Sequence, residues 1–171
     1  MASITKATVE DVRLLVDIGR ASFIESHGSS AAEQEINTYV NEKYNSEVLH
    51  QELSDPKNIY YVIYHDEQPA GFSKIVLDSP RKEIKQSNVT KLERIYLLKK
   101  FYGLKLGAEL FNFNLSLSTN NNQSGMWLLV WEKNERAIAF YCKVGFTIIG
   151  KGDFRLTQTH SNPNYLMYLQ Y

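Results

Sequence analysis

Between Leu92 and Gly107 the chain reads LERIYLLKKFYGLKLG, and the residues best suited to chemistry cluster there. Gly103 and Gly107 stand four apart among Lys99, Lys100 and Lys105, and a strongly helical sequence, AELFNFNLSL, follows. A helix that begins after such a loop offers backbone N–H groups without intrahelical acceptors and the positive end of its dipole, while glycines let a phosphate approach the main chain. The stretch is an anion cradle at a strand's end. Its spacing is neither G-x-x-x-x-G-K-[ST] nor G-x-G-x-x-G, so neither a nucleotide P-loop nor a dinucleotide fingerprint fits. Upstream, strand alternation puts Glu93 on one face with Ile95 and Leu97. A carboxylate there is either solvated or paired with a nearby lysine, or kept for proton transfer.

A second block, MWLLVWEKNERAIAFYCKVGF from Met126 to Phe146, holds Asn134, Tyr141 and Cys142. Asn134 is a good N-cap, and Ala137, Phe140, Tyr141 and Val144 share one helical face. Cys142 points about 100° away from Tyr141 on a helix, which argues against a covalent acyl carrier. As the only cysteine it excludes an internal disulfide, and His27, His50, His65 and His160 lack zinc-ligand spacing, so no metal is expected.

These groups require a strand before each functional loop and a helix after it. Ser3 to Ala7 reads as a strand, and Thr8 to Asp11 as a capping box. A helix follows to about Ala21 with Val12, Leu15, Val16 and Gly19 on one face, and Phe23 to Ser30 reads as a loop. Further helices are expected over about Ala31 to Asn41 and Ser46 to Leu53. Asn58 to Tyr64 and Ala70 to Leu77 form an antiparallel hairpin about HDEQP. Asp78 to Thr90 is a polar, exposed connection. After the cradle, Leu106, Leu110, Phe113 and Leu117 make the helical stripe, and Asn120 to Asn122 end it. MWLLVW is apolar enough to be buried on both faces. Gly145 before Phe146 suits a helix C-cap, with closing strands at Phe146 to Ile149 and Tyr165 to Leu169. The order is β-ααα-ββ-βα-βα-ββ, an α/β fold with a mixed sheet in a single domain spanning 1–171.

A chain of 171 residues supports one sizeable core, and 43% hydrophobic and 22% charged residues fit an ordinary globular protein. The start, MASITKATVEDV, has no signal-like apolar core, and no window approaches the roughly 20 apolar residues of a membrane span, so a cytoplasmic location is the default. Nineteen Lys and Arg against nineteen Asp and Glu give no nucleic-acid surface. Residues 1–58 nevertheless carry ten acids and five Lys/Arg, a net of −5, and residues 59–171 carry nine acids and fourteen Lys/Arg, a net of +5.

The two blocks resemble motifs A and B of the GCN5-related N-acetyltransferases (GNAT), with Lys100 where Gln or Arg is common and Lys105 where the middle glycine is common. The resemblance implies the GNAT fold and acetyl-coenzyme A as co-substrate. Backbone groups of Ile95, Tyr96 and Leu97 would pair with the pantetheine arm, and the N–H groups of Gly103, Leu104, Lys105, Leu106, Gly107 and Ala108 would hold the pyrophosphate. Asn134 would contact the coenzyme. Tyr141, beside the thioester sulfur, would be the general acid and Glu93 the general base, directly or through water. An alkylammonium of pKa about 10.4 costs roughly 4–5 kcal/mol to deprotonate at neutrality, which gives the base its purpose. The phenol, near 10, is only about 1.5 units above a thiol.

ASFIES, NTYVNEKYNSEVLHQELS, LERIYL and VWEKNERAIAFYCKVGF together resemble the PaiA-type bacterial polyamine acetyltransferases. That implies acetyl transfer to spermidine or spermine by direct attack in a ternary complex, with Glu25, Glu33, Glu35 and Glu42 in one wall of the acceptor channel. A peptide N-terminal or lysine acetyltransferase and a non-catalytic acyl-CoA-binding module remain alternatives, and a homodimer stays open. No membrane or nucleic-acid partner is expected.

Overall fold

Thr8 begins the first helical segment as its sequence dictates. Its hydroxyl oxygen accepts the Glu10 N–H at 3.3 Å, and the Asp11 carboxylate accepts the Thr8 N–H at 2.8 Å. A 3-10 turn over Val9–Asp11 leads into helix α1, Val12–His27. The computed structural model describes all 171 residues. Strand β1 is Ala2–Lys6, helices α2 and α3 are Glu33–Lys43 and Ser46–Ser54, and strands β2 and β3 are Asn58–His65 and Gln68–Val76. Then come β4 (Thr90–Leu97), α4 (Leu106–Asn120), β5 (Gly125–Trp131), α5 (Glu135–Lys143), β6 (Thr147–Arg155) and β7 (Ser161–Gln170). This is the element order expected from sequence.

The seven strands follow the order β1-β2-β3-β4-β5-β7-β6. β4 runs parallel to β5, with Thr90 opposite Met126, whereas β1 pairs antiparallel with β2, and β7 pairs antiparallel with both β5 and β6. Asp66 and Glu67, at φ of 47° and 63°, make the two-residue turn of the β2–β3 hairpin, the left-handed pair that suits strand twist. Residue contacts gather the chain into two compact units, Met1–Ile75 with Arg94–Asn114, and Val76–Glu93 with Leu115–Tyr171. No helix is long and apolar enough to cross a membrane.

Four local expectations change. Helix α1 does not stop near Ala21 but runs to His27, because its buried line is Leu15, Ile18, Gly19, Ser22 and Phe23. Ser22 is tolerated there since its hydroxyl donates to the Ile18 carbonyl at 2.6 Å. In α4 the fully buried positions are Leu106, Leu110, Phe111, Asn114 and Ser118, not Phe113 and Leu117. Asn114 Nδ2 donates to Ser73 Oγ at 2.9 Å and to the Leu110 carbonyl at 2.7 Å, and Ser118 Oγ lies 2.6 Å from Thr90 Oγ1. Hydrogen-bonded polar groups occupy a buried line that an apolar count skips. The segment before β4 is not simply exposed: Ile84 and Val89 are buried with Trp127 and Leu166, and Trp127 Nε1 donates to the Ser79 carbonyl at 2.8 Å. The closing strands β6 and β7 also run well beyond the short apolar runs that announce them, with a register shift between Ile148 and Gly150.

In the first unit helix α3 is tied to the strands by a buried ionic cluster. Glu52 of α3 receives Lys74 Nζ of β3 at 2.9 Å, Arg94 Nη1 of β4 at 3.3 Å and the Tyr60 hydroxyl of β2. Arg94 also donates to the Tyr60 oxygen at 2.6 Å and lies 5.2 Å above the Tyr44 ring. Burial raises the Glu52 pKa, but Arg94, Tyr60 and Lys74 outweigh it and hold the carboxyl below its ordinary value. Removing that carboxylate leaves buried cations uncompensated, so Glu52→Ala should cost about 3–5 kcal/mol in urea unfolding at pH 7. Because the folded pKa is depressed, this stabilisation is present above the unfolded value of about 4.3 and is lost as pH falls through the folded one. Glu52→Gln should flatten that acid limb, which urea midpoints between pH 6 and 3 will test.

Candidate active site

The cradle lies within the first unit. Beyond β4 the chain makes a 3-10 turn, Lys99–Phe101, whose buried Phe101 packs with Leu106, Leu110, Ile63 and Ala70. Gly103 has φ +86° and Lys105 φ +60°, so the main chain turns twice through the left-handed region before α4. The Glu109 N–H donates to the Lys105 carbonyl at 3.1 Å, the first bond of α4. Leu106, Gly107 and Ala108 thus form the turn whose N–H groups have no intrahelical acceptor. Gly103, Leu104 and Lys105 are exposed, and a Cβ on Gly103 would meet nothing within 4 Å. A Cβ on Gly107 would come 3.4 Å from Leu97 Cδ1, so the helix start sits directly against the end of β4.

Ile95, Tyr96 and Leu97 form the last residues of that strand, half-buried. Across from them β3 approaches so closely that a Cβ on Gly71 would fall 2.3 Å from the Tyr96 carbonyl oxygen and 2.4 Å from Leu97 Cδ2. Sequence reasoning missed Gly71, because a lone glycine in a strand points to no particular neighbour.

Glu93, Asn134 and Tyr141 lie in the second unit. Glu93 Oε1 stands 3.8 Å from Lys91 Nζ, both side chains about three-tenths exposed, and Lys91 in turn lies 5.4 Å above the Trp127 ring. The lysine pairing considered for Glu93 is therefore present. Asn134 Oδ1 accepts the Ala137 N–H at 3.2 Å and caps α5. At the other end of α5, Phe146 N–H donates to the Tyr141 carbonyl at 2.9 Å and Gly145 N–H to the Cys142 carbonyl at 3.1 Å, with Gly145 at φ +105°. This is a Schellman motif, and its apolar contact is the Tyr141–Phe146 ring pair at 5.5 Å. Phe140 packs on Tyr141 from the preceding position, also at 5.5 Å. Tyr141 is thus fixed through backbone and ring alike, and burial pushes its phenol pKa well above the ordinary value. Cys142 is exposed.

Along the chain, a strand, a glycine-bearing loop and a helix start are followed by a second strand and a capped helix. The acetyltransferase (GNAT) family model matches residues 26–146. The chain belongs to the GNAT family. It is 30% identical over 144 residues to an uncharacterized N-acetyltransferase from the pepI 3′ region of Lactobacillus delbrueckii subsp. lactis, covering 84% of this chain and 83% of that one. An uncharacterized N-acetyltransferase of Mycobacterium tuberculosis is 29% identical over 138 residues, covering 81% and 83%. Among solved structures, the PaiA N-acetyltransferase of Thermoplasma acidophilum in complex with coenzyme A has a TM-score of 0.80 at 21% identity, covering 100% of this chain and 99% of the other. The Escherichia coli ribosomal-protein-S18-alanine N-acetyltransferase has a TM-score of 0.72 at 14% identity, covering 99% and 94%. This GNAT protein is an acetyltransferase, with acetyl-coenzyme A as its co-substrate.

The family's middle glycine now has a physical explanation, since Lys105 occupies a left-handed conformation that glycine adopts without cost. Gly103→Ala should destabilise by about 1–2 kcal/mol from backbone strain alone, because the added methyl has open space. Gly71→Ala should cost more, since the opposing atom is a strand carbonyl that cannot swing aside. Urea unfolding of the two variants measures both effects.

Proposed function

We propose that this GNAT enzyme acetylates a primary amine, the amine attacking the thioester carbonyl of acetyl-coenzyme A directly within a ternary complex. The observation that carries the proposal is the backbone cradle of Gly103 to Ala108 at the end of β4, exposed over Gly103 to Lys105, whose N–H groups suit a pyrophosphate. Ile95, Tyr96 and Leu97 supply strand backbone for the pantetheine arm. As the N–C bond forms and the C–S bond breaks, Glu93 takes the amine's proton, directly or through water, and Tyr141 gives a proton to the departing thiolate. Asn134 contacts the coenzyme while capping α5. Burial raises the phenol pKa, so Tyr141 is protonated throughout the physiological range but stands further above a thiol than the ordinary value near 10 would place it.

For the acceptor, the proposal is a polyamine. Residues 1–58 carry ten acids against five Lys/Arg, and the Glu33 and Glu42 side chains are exposed on α2, where distal ammonium groups can reach them. Glu35 instead caps its own helix, its carboxylate accepting the Ala32 N–H at 3.2 Å. The PaiA fold likeness speaks to architecture and not to substrate.

Three measurements test the proposal. Gly107→Val should abolish coenzyme A binding by calorimetry in a folded protein, because the bulk falls at the helix start against Leu97. Tyr141→Phe should lower turnover by about 10²–10⁴ with coenzyme affinity unchanged; wild-type turnover would leave Tyr141 a packing residue. In an acceptor panel read by mass, spermidine and spermine should have lower KM than a monoamine of similar length, an advantage that salt erodes over a screening length of about 8–10 Å. Preference for a neutral peptide N-terminus at low salt would sink the polyamine assignment and leave acetyl transfer standing.

A further inference from the structure

Glu25 has a partner on the strand-to-cradle connection. Its Oε2 accepts the backbone N–H of Lys99 at 2.6 Å, across 74 positions of sequence. Lys99 opens the 3-10 turn Lys99–Phe101, and the residue before it, Leu98, offers no capping side chain. The first N–H of that turn has no acceptor within the turn, and Glu25 supplies one from another element. Contacts to either side fix the same segment. Leu98 N–H donates to the Ala70 carbonyl at 2.9 Å, and Phe101 N–H to the Leu98 carbonyl at 3.0 Å. The same end of α1 also grips β4, with the Phe23 and His27 rings meeting Tyr96 edge-on at 6.2 and 5.7 Å and stacked on each other at 4.7 Å. Helix α1 therefore holds the connection at Tyr96, inside the strand, and at Lys99, beyond it. Phe101 is buried and Gly103 follows two residues later, so a displacement of Lys99 passes straight into the cradle.

We infer that Glu25 is a positioning residue for the cradle, setting its backbone N–H groups for the coenzyme rather than lining the acceptor channel. The inference rests on the reading that the cradle binds acetyl-coenzyme A. A carboxylate accepting a backbone N–H is among the stronger hydrogen bonds, and here both its ends lie outside the catalytic groups.

The test combines amide exchange, calorimetry and kinetics on the whole chain. Glu25→Ala should speed exchange of the Lys99 amide by about tenfold or more and weaken coenzyme A binding by about 5- to 20-fold. Acceptor KM, at saturating acetyl-coenzyme A, should stay within about twofold. Glu25→Gln keeps an oxygen at the same reach and should recover most of the affinity. Lys99→Pro removes the donor itself, and Leu98 already has the φ of −65° and ψ of 137° that a following proline requires. Against Lys99→Ala as the charge control, Lys99→Pro should show the same loss, and adding Glu25→Ala to it should lose nothing more. If Glu25→Ala does not fold, the Lys99→Pro and Lys99→Ala pair decides alone. Coenzyme affinity within about twofold of wild type in Glu25→Ala or Lys99→Pro overturns the inference, as does a raised acceptor KM with coenzyme affinity intact. Wild-type protein that binds no coenzyme A would instead remove the reading beneath it.

Discussion

The Glu52 carboxylate, held among Lys74, Arg94 and Tyr60, is the interaction on which the first unit depends. It joins α3 to β2, β3 and β4 at once, and each partner is too buried to be left without it. Glu52 sits on an ordinary amphipathic helix, so the helix must dock with its carboxylate inward and with one rotation about its axis. Apolar packing alone tolerates slippage; a buried ion with three defined donors does not. The strand so fixed carries Arg94, Ile95, Tyr96 and Leu97 in sequence, and the cradle follows from its end.

The proposed coenzyme cradle would bind through main-chain N–H groups, so side chains there can depart from the family pattern. Lys105 replaces a glycine and still presents its N–H, at the cost of a left-handed backbone. Position is what matters for such donors, and it is secured by packing. Phe101, Leu106 and Leu110 anchor the turn and the helix start, Gly71 allows β3 to lie against the Tyr96 carbonyl, and Glu25 and the Ala70 carbonyl accept the N–H groups of Lys99 and Leu98. Tyr141 is held by the same kind of device in the second unit, a glycine-ended helix whose closing hydrogen bond falls on Tyr141's own carbonyl.

Sequence by itself determined the element order, the cradle, the Asn134 cap and the Gly145 stop. These depend on local rules: glycine where φ is positive, a short polar side chain where a helix begins, and an apolar run where a strand is buried. The two motif blocks carried the family with them, because they too are contiguous. Tertiary structure alone decided what the charged and polar residues do. Glu25 was legible as an acid on a helix, but its partner is a main-chain N–H far along the chain, and no spacing rule encodes that. Glu52, Lys74 and Arg94 belong to three different elements, and Asn114 and Ser118 are buried only because Ser73 and Thr90 lie opposite them. Helix α1 continued past Ala21 for a similar reason, since Ser22 bonds its own helix and leaves Phe23 to extend the buried face. Periodicity records which residues avoid water; the partner that lets a polar residue join them is known only once the chain has folded.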